Sequence, residues 1–242
     1  LSEEELVGFV VGRSDLGESD RIVRLLTAEY GRVDLVAKGA RASKRRLAGA
    51  SEPGTLLRVV RTRGRGSLDV LVTADVLASP RRARESYGRL MLLAYGCEVS
   101  GLLAAHGLDA GKGLRLLEVW LELLEGEPEP TDASRVAFEG KALTFAGLAP
   151  ALRVCPVCRV ALAGECAFDL EAGGGVHLWC GTGEVVQAES LARIEALRRL
   201  ALAETPGELV PGAAKWLLTG FIEYQCRTGI RSRALLEPAV EG

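Results

Sequence analysis

Near residue 80 the hydrophobic period of this chain changes, and that change restricts its architecture more than any other feature. Before it lie five short stretches rich in Val and Leu: "LVGFVVGR", "RIVRLLTA", "RVDLVAKGA", "GTLLRVVRT" and "SLDVLVTADV". Turn material such as "SDLGESD", "EYG" and "RGRG" separates them, and no helical pattern intervenes. Five strands so closely spaced suit a small closed barrel, for which the five-stranded OB-fold is the obvious candidate. Beyond "SPRRARESYG" the apolar residues recur at helical spacing in "YGRLMLLAYGCEVSGLLAAHG", "GLRLLEVWLELLEG" and "SRVAFEGKALTFAGL". Strands followed by helices define an α+β multidomain class.

The acidic, proline-broken "GEPEPTD" links the second and third helices, and ends in Thr131 and Asp132, either of which can cap the next helix. "AESLARIEALRRLALAE" and "GAAKWLLTGFIEYQCRTG" supply two more helices. In the first of these Leu191, Ile194, Leu197 and Ala201 share a face, with Arg193, Arg198 and Arg199 off it. Four segments are therefore expected: a β domain over 1–80, a helical domain over 81–150, a cysteine-bearing module over 151–186, and C-terminal helices over 187–242 that complete the helical domain. No apolar run reaches membrane-spanning length and no basic-then-apolar leader opens the chain, which points to the cytoplasm and to no membrane partner.

That compartment keeps thiols reduced, so clustered cysteines read as metal ligands. Cys97 and Cys226, alone in apolar stretches, read as core. The other four cysteines fall in "CPVCRVALAGECAFDLEAGGGVHLWC", residues 155–180. Cys155 and Cys158 form C-P-V-C, in which the proline restricts the turn that aims two sulfurs at one ion. His177 and Cys180 form H-L-W-C, a second pair three apart with imidazole replacing one thiolate. Two such pairs are the pattern of a closed structural zinc site, with Cys166 as the competing fourth ligand. Gly173, Gly174 and Gly175 suit the tip of a hairpin joining the pairs.

A catalytic zinc does not fit. A deaminase needs His-x-Glu followed by Pro-Cys-x-x-Cys, whereas His106 precedes "GL", His177 precedes "LW", and Val154 precedes Cys155. There is no His-Glu-x-x-His, and two histidines in the whole chain furnish few hydrolase shells. "GLDAGKGL" misses the phosphate-binding loop spacing and puts Gly113 where Ser or Thr is required. His106 reads as a helix-end residue. No enzyme is expected.

Net charge is only −2, but it is unevenly spread. Between residues 32 and 65, ten basic residues (Arg32, Lys38, Arg41, Lys44, Arg45, Arg46, Arg58, Arg61, Arg63 and Arg65) face only Asp34 and Glu52, leaving +8. Such polarisation suggests a polyanionic partner.

Three features in order, "GESD", "LLT-x-x-YG" and "AKGAR", together with "GSLDVLVTADV" and the late "CPVC … FDLEAGGGVHLWC", resemble the RecO family of bacterial recombination and DNA repair mediators. The likeness runs through nearly the whole chain. It implies an N-terminal OB-fold β-barrel, an α-helical domain and an inserted zinc-finger module. Family members carry two C-x-x-C pairs, the second after F-x-x-x-x-G-G. Counted from Phe168, His177 and Cys180 fall on the third and fourth ligand positions, with His standing for Cys. The resemblance further implies binding of ssDNA and dsDNA, annealing of complementary strands, contact with single-strand-binding protein (SSB), and action with RecR in loading RecA onto SSB-covered strands.

The residues supply a mechanism for that job. Single-strand grip by stacking needs aromatic platforms, and the β domain has only Phe9 and Tyr30, both in core-like patterns. Its cations Arg32, Lys38, Arg41, Lys44, Arg45, Arg46, Arg61, Arg63 and Arg65 instead suit phosphate, which is common to every sequence. Arg81, Arg82, Arg84 and Arg89 beside "LMLLAYG" form a candidate rim for the acidic, apolar-ended tail of SSB. A zinc-containing RNA- or ribosome-associated binding protein is the alternative that the charge pattern leaves open.

Overall fold

The computed structural model describes residues 3–41, 50–64, 68–207, 210 and 212–236. They form two compact units, residues 1–125 with 231–242, and residues 126–230.

The first unit is built on five strands: β1 (Glu3–Leu16), β2 (Asp20–Thr27), β3 (Gly31–Ala37), β4 (Leu56–Thr62) and β5 (Asp69–Ala78). They close a barrel in the order β1-β2-β3-β5-β4. β1 is long enough to serve two neighbours, pairing with β4 through Glu3–Phe9 and with β2 through Gly8–Leu16. A register shift between Val10 and Gly12 bends it from one partner to the other, as a bulge does at a barrel corner. Closure is a short parallel pairing of β3 with β5, Leu35 to Asp69 and Val36 to Val70. Alternating side chains of β2 and β3 (Val23, Leu25, Val33, Leu35) point inward and meet Val10, Leu57 and Val59 in a dry core.

Helices α1 (Tyr87–Leu103) and α2 (Gly111–Glu125) belong to the same unit. Ser86 caps α1 by accepting from Arg89 N. The buried stripe of α2 (Leu116, Leu117, Trp120, Leu121, Leu124) follows helical spacing, and Trp120 donates its indole N–H to Leu92 O at 3.2 Å. The chain passes from α1 back to the barrel at Gly31, whose φ is +60°; a Cβ there would lie 2.1 Å from Ala105 O, so only glycine fits. After the second unit, residues 231–236, with the single turn α6 (Arg233–Leu236), return to this one. There Glu98 accepts from Arg231 N, Ser232 N and Ser232 Oγ.

The second unit holds α3 (Asp132–Phe145), a three-stranded antiparallel sheet of order β7-β6-β8, α4 (Ala188–Arg199) and α5 (Leu217–Cys226). The strands are β6 (Glu165–Asp169), β7 (Gly174–Val176) and β8 (Glu184–Gln187). Of the two candidate caps, Thr131 is the one used, in a reciprocal box with Ser134. α3 is buried nearly all round, even at Arg135 and Glu139, which pair with each other. Thr219 Oγ1 receives from Arg135 at 3.1 Å and donates to Glu139 at 3.0 Å, so the buried charges are compensated.

The helices are therefore divided differently from the sequence expectation. α1 and α2 lie in the compact unit of the barrel, whereas α3, α4 and α5 lie with the cysteine module. Helical periodicity reveals an apolar face but not the surface that covers it.

Candidate metal centre and basic surface

The cysteine module is a pair of turns held by the sheet of the second unit. Cys155 opens a tight turn in which Arg159 N donates to Cys155 O and Cys155 N to Val160 O, both at 2.9 Å. Phe168 and Ala167 of β6 pair with Gly175 and Val176 of β7, which delivers His177 and Cys180 to the first turn. The hairpin needs Gly174, at φ +149°, because a Cβ there would stand 2.2 Å from Ala151 O.

The ligand atoms of Cys155, Cys158, His177 and Cys180 all lie within 4.8 Å of one another. Cys158 Sγ is 3.4 Å and Cys180 Sγ 4.0 Å from His177 Nδ1. A tetrahedral zinc shell requires ligand separations of about 3.5–3.8 Å, so a small contraction would complete it. His177 Nε2 lies 3.2 Å from Ala161 O, and a carbonyl only accepts; the ring hydrogen therefore sits on Nε2 and leaves the Nδ1 lone pair facing the sulfurs. Burial opposes ionisation of Cys155, but the backbone N–H groups of Cys158, His177 and Val157 bring its thiol down to about 6. Burial and the neighbouring sulfurs push Cys180 up to about 11. Cys166 stands apart, fully buried in β6 with its Sγ 3.4 Å from Val186 O. The four clustered residues could thus hold one metal ion with no position left for substrate, and their donor set suits zinc.

The basic residues of the barrel fall into three groups. Lys44, Arg45, Arg46 and Arg65 lie outside the described residues. Arg32, Arg41, Arg58 and Arg61 are engaged by acids, most of which stand outside the 32–65 window. Arg61 donates to Glu4 Oε2 through Nε and Nη2 at 3.0 and 2.7 Å and pairs with Asp69 at 3.1 Å. Arg41 meets Asp15 at 3.4 Å and donates to Gly17 O; Arg58 meets Glu5 at 3.3 Å. Arg32 lies 3.3 Å from Asp34 and donates to Gly101 O at 3.1 Å. The third group is Lys38, in the turn after β3, and Arg63, just beyond β4; both are exposed and without an ion pair among the described residues.

Tyr30 is not a core residue. It is 37% exposed, donates to Glu4 Oε1 at 2.6 Å, and has the Arg61 guanidinium 4.9 Å from its ring centroid. The Tyr30 hydroxyl, then Arg61, hold the Glu4 carboxyl below the usual range. Phe9 is buried as its pattern suggests.

Of the arginine rim expected before and within α1, Arg84 and Arg89 are turned inward, whereas Arg81 and Arg82 are exposed. Arg89 is buried and donates to Leu124 O at 2.6 Å; Arg84 donates to Pro80 O and Pro53 O; Arg82 donates to Glu125 O. Arg84 and Arg89 thereby tie carbonyls of other segments to α1 and its approach, which leaves Arg81 and Arg82 as the exposed part of the rim. His106 lies past the end of α1, in a bridge with Gly31. No described helix is long and apolar enough to cross a membrane.

The fold and site define an α+β protein with an OB-like closed barrel, helices, and a Cys/His cluster capable of holding a metal. Residues 2–80 match the family model described as Recombination protein O N terminal, and residues 84–234 match Recombination protein O C terminal. The chain belongs to the RecO family. It is 35% identical over 247 residues to the DNA repair protein RecO of Anaeromyxobacter dehalogenans strain 2CP-1, covering 98% of this chain and 97% of that protein. It is 36% identical over 228 residues to that of Myxococcus xanthus, covering 93% of each. With the protein of the same name from Gloeobacter violaceus it shares 32% identity over 246 residues, 97% of this chain and 92% of the other. Family membership gives the chain a role in DNA repair and recombination.

Proposed function

We propose that this chain is a non-catalytic mediator of recombinational repair that binds ssDNA and dsDNA through their phosphates and anneals complementary strands. With RecR it helps load RecA onto strands covered by SSB, a role that places it in the cytoplasm at the nucleoid. The observation that carries this reading is RecO membership along almost the entire chain. Lys38 and Arg63, exposed and without an ion pair among the described residues, support the barrel as the contact surface. Lys44, Arg45, Arg46 and Arg65 belong to the same two sequence runs and are assigned to the same contact. Arg41 is solvent-accessible and can exchange Asp15 for a phosphate. Arg32 and Arg61 add positive potential while bracing the barrel.

Annealing follows from the same charges. Two phosphate backbones repel, and a cationic surface that holds both without covering the bases lowers the barrier to pairing. No nucleophile or general base is needed. One zinc held by Cys155, Cys158, His177 and Cys180 supplies folding energy to the second unit.

The test is annealing of complementary SSB-coated strands, with and without RecR. Acceleration that depends on RecR supports the reading, and equal rates with and without this chain overturn it. If about six phosphates are neutralised, log K against log salt should slope by roughly −4 to −5. Preference for RNA over DNA of the same sequence would instead favour an RNA-associated role.

A further inference from the structure

We infer that the cysteine module carries a second nucleic-acid contact, in which Trp179 stacks on an unpaired base while Arg153 and Arg159 meet the flanking phosphates. This rests on the reading of the chain as a DNA-binding protein, and assigns single-strand recognition to a site outside the barrel.

Trp179 is 81% exposed, more than any other large apolar side chain among the described residues. It is nevertheless held: its ring lies parallel to that of His177, with centroids 4.7 Å apart and planes within 10°. His177 is itself 6% exposed and fixed by Ala161 O, so one face of the indole has a rigid backing and the other faces water. An aromatic plane ordered in advance loses little entropy when a base is laid on it.

The other two tryptophans and the aromatic residues of the barrel are less accessible or already engaged. Trp120 is fully buried, and Trp216 has Arg135 and Lys215 over its ring at 4.2 and 5.2 Å. In the barrel, Phe9 is buried and Tyr30 is occupied by Arg61 and Glu4. A barrel without an open aromatic plane reads phosphate and does not separate unpaired bases from duplex.

The charge around the knuckle selects the occupant. Residues 151–164 contain Arg153 and Arg159 and no acid. Both arginines are exposed, and neither side chain has an ion pair or hydrogen bond among the described residues. Arg159 follows Cys158 at φ +65°, so the turn that positions a ligand also positions this cation. Asp169, an acid beside the turn that carries Trp179, is taken up by the N–H groups of Glu171, Ala172 and Thr182. A flat apolar plane with two exposed guanidiniums on the neighbouring turn therefore complements a base with its phosphates.

Intrinsic fluorescence of the zinc-loaded full chain, titrated with oligo(dT) and with a duplex, tests this directly. Oligo(dT) should quench the wild type and leave Trp179→Phe largely unquenched, because Trp120 is buried and Trp216 is half-buried beneath Arg135 and Lys215. Trp179→Ala should weaken oligo(dT) binding on the order of ten-fold and change duplex binding by less than about two-fold. Arg153→Ser with Arg159→Ser should weaken oligo(dT) binding too, with zinc content unchanged. Oligo(dT) that binds, by anisotropy, without quenching the wild type overturns the site and leaves the proposed function standing. Absence of binding to both DNA forms would remove the underlying reading itself. Association of two chains that requires Trp179 and is unaffected by oligo(dT) would also overturn the site, since a second copy would then cover the indole.

Discussion

The barrel surface and the cysteine module are both functional candidates, but they are assembled from opposite kinds of contact. The module takes its four ligands from residues 155–180, through two turns and one short hairpin. The barrel surface takes its net charge from strands far apart in sequence: Arg61 meets Glu4 of β1 and Asp69 of β5, and Arg41 meets Asp15. Counting charges along a window is sound for the first kind of site and misleading for the second. Neutralisation depends on distances of a few ångströms in space.

The largest expected effect separates the two regions by metal. Cys158→Ser, or removal of zinc by a chelator, should unfold residues 151–187, since such ions contribute on the order of 10 kcal/mol to small modules. Hydrogen exchange should then rise sharply at β6 and β7 while β1, β2 and β3 stay protected. Equal loss in both regions would show that the barrel depends on the module.

The next test lies within the barrel. Arg61→Ala leaves Glu4 and Asp69 close together without their cation and should reduce stability by about 2 kcal/mol in urea denaturation. Lys38→Ala should leave stability within about 0.5 kcal/mol, yet weaken DNA and lower the salt slope by about one unit. Reversed outcomes, with Arg61 dispensable for folding and Lys38 essential, would erase the division into bracing and contacting cations.

The smallest effect concerns pH. Burial opposes ionisation of Glu125, but the N–H groups of Ala83, Arg82 and Arg81 and the charge of Arg82 hold its carboxyl below the usual value. A depressed carboxyl contributes stability above its unfolded pKa of about 4.3, and loses it as pH falls through the folded value. Glu125→Gln should therefore flatten the acid limb of the stability curve slightly, by less than about 1 kcal/mol. An unchanged acid limb would mean that those N–H groups find equal partners without the carboxylate.

Much of the fold was legible where the signal is local. Each of the five barrel strands overlaps one of the Val- and Leu-rich runs, with β1 extending beyond its run at both ends. Helices α1, α4 and α5 fall within the apolar helical stretches, and α2 and α3 begin two residues ahead of theirs. Gly173 occupies the turn and Gly174 and Gly175 enter β7, close to the hairpin tip expected of three glycines. The spacing of C-P-V-C and H-L-W-C picks out the four residues that converge, and Cys166 lies outside that cluster, facing Val186 across the sheet. Nothing in H-L-W-C marks Trp179, because exposure is not written in residue type. The half-exposed place of Tyr30 is hidden for the same reason, and the inward turn of Arg84 and Arg89 depends on carbonyls of other elements.

Period, turn chemistry and ligand spacing by themselves determined that strands precede helices and that three thiols and an imidazole gather in one knuckle, because these depend on neighbours a few residues away. Tertiary structure alone decided which cations remain free, which helices accompany the barrel, and which face of Trp179 meets water. Those outcomes are set by groups brought together across the chain, and no linear window contains both partners.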